Sequence, residues 1–264
     1  MRVETSVRDG VAVLTLNDPP ANTYSYEMMR ELDAAILDAR MDGARHVIVL
    51  ICAGEKLFCA GANINMLRDA DPDFKYYFCL HANETLSRLE QTPKLVIAAL
   101  NGHTVGGGLE VALAADLRIA KKDAGRIGLP EVALGVLPGT GGTQRLARLI
   151  GKARAIELMA TGRLMSMDEA LALGIVTDVW DAARLAGKTF ADAVVEYATQ
   201  FVPPNKASRA VGRMKRAVQS GAEAGFAEGL AIERELQQLL FQSEDAREGM
   251  AANLEKRTPA FKGN

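Results

Sequence analysis

The sequence predicts an α/β fold that ends in an all-helical region, and three observations carry that expectation. Short apolar or β-branched runs, Val11 to Leu16, Val47 to Cys52 and Leu95 to Leu100, read as strands. Between them lie segments whose apolar residues recur every three or four positions, the helical period. Beyond Pro203-Pro204 only that period remains. With 264 residues, 48% apolar and 24% charged, the chain can build one large core with an appendage. The expected division is a catalytic core at 1–202 and a helical region at 203–264.

Composition narrows the function classes. A formal net charge of −2 and a pI near 6.0 argue against a chain whose main partner is a nucleic-acid backbone or an anionic membrane. Cys52, Cys59 and Cys79 form no CxxC pair and are odd in number, and the first residues carry no signal-like pattern. A reducing, cytoplasmic setting with free thiols is expected. No apolar run approaches the roughly 18 residues that a membrane helix needs.

Taken in order, Glu4 to Val7 and Val11 to Leu16 make a hairpin about Asp9-Gly10. Ser25 caps a helix with Met28, Leu32, Ile36 and Ala39 on one face, ending near Gly43. Val47 to Cys52 is continuously apolar, as in a strand covered on both faces. Leu57 to Asn63 is a short strand running into small residues. It is either a tight turn on the core or a place where backbone approaches a ligand. Asp73 to Gln91 reads as a helix buried along Tyr77, Leu80, Leu86 and Leu89, and Asp116 to Ala120 alternates like an edge or half-buried strand. Helices follow at Ala153 to Ala160 and after Ser166, then a last strand at Val176 to Trp180. The tail supplies three helices: Lys206 to Ser220, Ala222 to Phe241, and one begun by Ser243. Phe226, Leu230, Leu236, Leu239 and Leu240 form a stripe that is either core or subunit contact.

The chain is organised around Asn101 to Glu110, where three glycines, Gly106 to Gly108, stand between the strand at Leu95 to Leu100 and a helix from Leu109. Glycine is used where backbone must come close to something or take positive φ. A helix N-terminus there offers unpaired N–H donors to a negative oxygen. Glu110 sits one turn inside, a position that suits the helix dipole whatever else the carboxylate does. A second glutamate, Glu131, follows Pro130 in a loop, and a further glycine-rich loop, Gly135 to Gly142, leads into a helix with Arg145 and Arg148. Other chemistries fall away on spacing. There is no HExxH, GxSxG, GxGxxG or GxxxxGK[ST], and His46, His81 and His103 lie far apart, so no metal site is expected.

In four stretches the chain resembles the enoyl-CoA hydratase/isomerase (crotonase) superfamily. They are Phe58 to Ile64, Asn101 to Glu110, the block from Leu129-Pro130-Glu131-Val132 to Gly141-Gly142-Thr143-Gln144-Arg145, and the tail Glu255 to Phe261. The resemblance implies a core of repeated ββα units, with a helical C-terminal region that assembles trimers, often paired into hexamers. It also implies an acyl-CoA thioester substrate and no cofactor, since CoA belongs to the substrate. By position, the N–H groups of Ala62 and Gly107 would form an oxyanion hole for the thioester oxygen, worth on the order of 100- to 1000-fold per donor. Glu110 would activate water and Glu131 would deliver the α-proton. Ala60, Ile64, Met66, Gly106, Pro130 and Gly139 would line the acyl-CoA site. Lys256 and Phe261 would hold the CoA nucleotide or a neighbouring subunit. Having both glutamates favours 2-enoyl-CoA hydration over the isomerase, dehalogenase, decarboxylase and thioesterase members, which commonly lack one of them or place an aspartate or histidine elsewhere. The alternative within the family is another enolate-type acyl-CoA reaction, such as isomerisation, ring opening or hydration of a conjugated dienoyl or cyclic substrate.

Two residues depart from the family's pattern. Asn63 replaces a usual aspartate, and Asn253 replaces a phenylalanine associated with the acyl pocket, so a more polar or unusually shaped acyl group is an alternative. Some hydratase-like proteins bind RNA through a basic helix. Lys206, Arg209, Arg213, Lys215 and Arg216 would be that helix here, although a charge run of this kind is usually a solvated face.

Overall fold

The protein is described by a computed structural model covering residues 1–264. Strands β1 (Val3–Arg8) and β2 (Val11–Leu16) form the expected antiparallel hairpin. Helix α1 (Tyr26–Met41) begins where the Ser25 hydroxyl accepts the Met28 amide at 3.3 Å, and it buries the apolar stripe read from the sequence. Then come β3 (Val47–Cys52), β4 (Leu57–Cys59), α2 (Ile64–Asp69), α3 (Pro72–Glu90), β5 (Leu95–Leu100), β6 (His103–Val105) and α4 (Gly107–Leu113). After β7 (Leu117–Lys121) and β8 (Ile127–Gly128), a 3-10 turn covers Glu131–Leu134. The order continues with α5 (Gly142–Ile150), α6 (Lys152–Thr161), α7 (Met167–Ala172), β9 (Asp178–Trp180), α8 (Ala182–Leu185) and α9 (Phe190–Thr199). The tail is α10 (Ser208–Ala222), α11 (Phe226–Phe241) and α12 (Glu244–Glu255).

The strands form two sheets. The larger runs β1-β2-β3-β5-β7-β9, parallel except at β1, and the smaller runs β4-β6-β8, also parallel. Three times the chain passes from a strand of the large sheet to one of the small sheet and then into helix: β3 to β4, β5 to β6, β7 to β8. This is the crotonase-type ββα repeat. Alternation along each central strand feeds two cores. Val96, Ala98 and Leu100 join α1, α3 and α4 on one face, while Ile97 and Ala99 meet Val47, Val49, Ile51 and helix α9 on the other.

Four expectations are corrected. On α3 the buried side is Phe78, Ala82, Leu86 and Leu89, whereas Tyr77 and Leu80 are exposed. Phe78 sets this face by packing on Phe74 and Tyr24, with ring centroids at 6.3 and 5.9 Å. β7 is neither edge nor half-buried, because it pairs with both β5 and β9. The strand that enters the glycine turn is not β5 but β6, which intervenes and aligns Gly106 beside Gly128 of β8. Lys215 is not on a solvated basic face. Its Nζ lies 2.9 Å from Asp116 Oδ2 and donates to Lys94 O at 3.1 Å, docking α10 against the start of β5. Gly212 makes that approach possible, because a Cβ there would stand 2.0 Å from Pro93 O. No helix is long and apolar enough to cross a membrane, and all three cysteines are free thiols.

Candidate active site

The small sheet brings the two glycine-rich motifs together. Tyr24 runs parallel to the β4–α2 connection, its N–H donating to Gly61 O and its carbonyl accepting from Asn63 N, both at 2.9 Å. Those bonds use the neighbours of Ala62 and leave the Ala62 N–H with no acceptor in the chain. Gly61, at φ +87°, lies against the second motif: a Cβ there would come within 2.8 Å of the Gly107 nitrogen. Gly107 opens α4, so its N–H also has no intrahelical partner. Two unpaired amides from segments 45 residues apart in sequence thus adjoin. At Gly106, φ +57° and ψ −134° are a geometry that only glycine adopts without strain, and they turn β6 into α4.

Glu110 is buried, 2% exposed, and its Oε1 accepts the amides of Thr140 at 2.8 Å and Gly142 at 2.7 Å. Glycine is required at 142, where a Cβ would crowd that oxygen at 2.9 Å. Burial pushes the Glu110 pKa upward against the opposing pull of these two amides and the Thr140 hydroxyl. Glu131 starts the 3-10 turn rather than lying in irregular loop. Its carboxyl faces Gly106, where a Cβ would stand 3.2 Å from Oε1, and its Oε2 is buried without a partner. Burial, with the nearby Glu110 charge adding to it, raises its pKa to about 7. Such a group holds or yields a proton near neutrality.

The loop that grips Glu110 is itself pinned. Asn83 Nδ2 donates to Gly139 O at 3.1 Å, and Arg145 donates to Thr140 O at 3.3 Å while paired with Glu90 at 3.0 Å. Tyr24, 2% exposed, reaches the same loop with a 3.0 Å hydrogen bond to the Thr140 hydroxyl. Sequence reasoning singles out none of Asn83, Glu90, Thr140 and Tyr24, because their partners lie tens of residues away.

Of the other sequence candidates, Ala60, Met66, Pro130 and Gly139 are half-buried around this site and Ile64 is exposed at the start of α2. Gly139 faces the Cys79 sulfur. Asn63 is the N-cap of α2, accepting Met66 N at 3.1 Å, a duty that asparagine and aspartate perform alike. Lys256 ends α12 on the surface and Phe261 packs on Gly249, so within one chain neither bonds to the glutamate cluster. Asn253 is exposed on α12.

The fold and this cluster define an α/β enzyme of the crotonase type, with paired carboxyls beside amide donors. The chain belongs to the enoyl-CoA hydratase/isomerase family, whose model matches residues 6–264. It is similar to the short-chain-enoyl-CoA hydratase of Clostridium acetobutylicum, 38% identical over 94% of this chain and 92% of the relative. The 2,3-dehydroadipyl-CoA hydratase of Escherichia coli is 36% identical over 96% and 95%. A crystal structure of an enoyl-CoA hydratase from Geobacillus kaustophilus HTA426 superposes with a TM-score of 0.95, at 47% identity over 100% of this chain and 97% of that one.

Proposed function

We propose that this enzyme is a hydro-lyase that adds water syn across the 2,3 double bond of a 2-enoyl-CoA, giving a 3-hydroxyacyl-CoA. The observation that carries the reading is a pair of carboxyls, Glu110 buried and Glu131 half-buried, coupled in charge and set beside the unpaired amides of Ala62 and Gly107. In this reading the thioester oxygen accepts hydrogen bonds from both amides. Glu110, ionised, takes a proton from water as the water oxygen bonds to C3. The displaced π electrons form an enolate whose charge rests on the thioester oxygen, where fixed donors stabilise it most. Glu131, protonated, gives its proton to C2. Both carboxyls act from one side, so the addition is syn. Fixed amides carry the developing charge, and the scheme calls for no metal or cofactor beyond the CoA of the substrate.

The names of relatives that act on short-chain enoyl-CoA and on 2,3-dehydroadipyl-CoA support the substrate class at this level. The test is a panel of linear, branched, cyclic and carboxyl-terminated enoyl-CoA thioesters, followed by loss of the conjugated absorbance. Glu110→Gln and Glu131→Gln are each expected to lose about 100-fold or more in kcat. Near-native turnover by either variant would remove that residue from its role, and no turnover by the wild type on any member would overturn the hydratase reading.

A further inference from the structure

We propose that Tyr24 is a positioning residue of this reaction: its hydroxyl, acting through Thr140, fixes the carboxyl of Glu110, while its main chain and ring hold the two amide donors in register. The inference rests on the hydratase reading above and adds to it a residue that touches all three parts of the site. Through its backbone, Tyr24 bonds to Gly61 and Asn63 and so presents the Ala62 N–H. Through its ring, it fills the space beside Gly107: a Cβ at 107 would stand 2.2 Å from the phenol oxygen and 2.7 Å from two ring carbons. Through its hydroxyl, it bonds to Thr140 Oγ1 at 3.0 Å, on the residue whose amide holds Glu110.

Thr140 holds Glu110 Oε1 through its amide N–H at 2.8 Å and meets the Tyr24 hydroxyl through Oγ1 at 3.0 Å, so the phenol anchors the residue that carries the donor. Either hydroxyl can be the donor in the Tyr24–Thr140 bond, and in both arrangements it ties Thr140 to the ring. Tyr24 and Thr140 are 2% and 4% exposed, so water does not replace either bond cheaply. Phenylalanine would fill the ring's space and support the same backbone pairing. What only tyrosine supplies is the hydroxyl, and its partner leads to the group that must activate water.

The experiment compares Tyr24→Phe, Thr140→Val, Thr140→Ser and the Tyr24→Phe/Thr140→Val pair with wild type. Each of the first two is expected to lower kcat by about 10- to 100-fold with little change in KM, the scale of a misplaced catalytic group. Both should move the acidic limb of the kcat/KM profile to higher pH, since a carboxylate whose amide donor is displaced ionises less readily. The double variant should be no slower than the slower single, as expected for groups that act in series. Thr140→Ser, which keeps the hydroxyl, should restore most of the rate. An unshifted limb with near-native kcat in Tyr24→Phe would overturn the proposal. So would a loss confined to Tm. If Tyr24→Phe fails to fold, Thr140→Val and Thr140→Ser decide the question by the same readouts. Should wild type hydrate no enoyl-CoA, the hydratase reading falls separately. The positioning claim is then judged by a 13C titration of the Glu110 carboxyl, assigned with Glu110→Gln: a midpoint moved upward in Tyr24→Phe supports it, and an unmoved one sinks it.

Discussion

Glu131 and Glu110 meet at the residue scale as two carboxyls that burial raises together, with Glu110 opposed by the amides of Thr140 and Gly142 and Glu131 by its own backbone amide alone. The difference fits the roles proposed above: the better-compensated group suits the ionised role and the less compensated one suits the proton donor. For Glu131 the sign runs from an ordinary 4.5 to about 7 in the folded protein. The native state therefore binds this proton more tightly than the unfolded chain. Its contribution to stability is present at low pH and is lost as pH rises from 4.5 through about 7. We expect kcat/KM to fall as pH rises through about 7, and Glu131→Gln to flatten the pH dependence of the urea midpoint in that window. Profiles of both quantities check this; a rate that climbs with pH through neutrality would contradict the donor role. Both glutamates were legible in the sequence because glycine motifs flank them. Tyr24 was not, because it stands ahead of the Ser25 cap like any residue entering a helix, and its contacts with the site come from positions 61, 63, 107 and 140.

At the scale of elements, periodicity found most helices and all the long strands. It missed β6 and β8, which are three and two residues long and take their pairing from each other and from β4 rather than from any pattern of their own. It also passed over α9, although Phe190, Val194 and Ala198 recur every four residues behind a Thr189 cap. That signal was present and sufficient. The docking of α10 lay beyond sequence reasoning, since nothing in a run of basic residues shows that one of them faces a buried aspartate. Burial raises the Asp116 pKa and lowers that of Lys215, each pulled back by the other. Removing one partner of such a pair leaves a charge that is hard to hydrate. Lys215→Met is expected to cost about 3–5 kcal/mol by chemical denaturation, with much of the loss recovered when Asp116→Asn is added. A loss below about 1 kcal/mol, the worth of a surface pair, would show that the ion pair contributes little.

On the scale of the whole molecule, α11 is a helix without a fully buried residue, and Phe226 and Leu254 are each 84% exposed. Val218 and Phe241 add to this apolar surface at 71% and 58%. A single chain gains nothing from exposing so much apolar side chain, which is the usual mark of an interface. We propose that this end of the molecule joins subunits, as the family resemblance implies. Light scattering on a sizing column should give three or six times the 28.3 kDa of one chain; a monomer at micromolar concentration would refute this. The segment from Glu131 to Gly142 carries one carboxyl on its first turn and grips the other with its last amides. A displacement of that stretch would withdraw one carboxyl and release the other in one movement. Arming of the two groups is therefore all-or-none, and a half-assembled enzyme holding a single competent carboxyl is not a state this architecture readily visits.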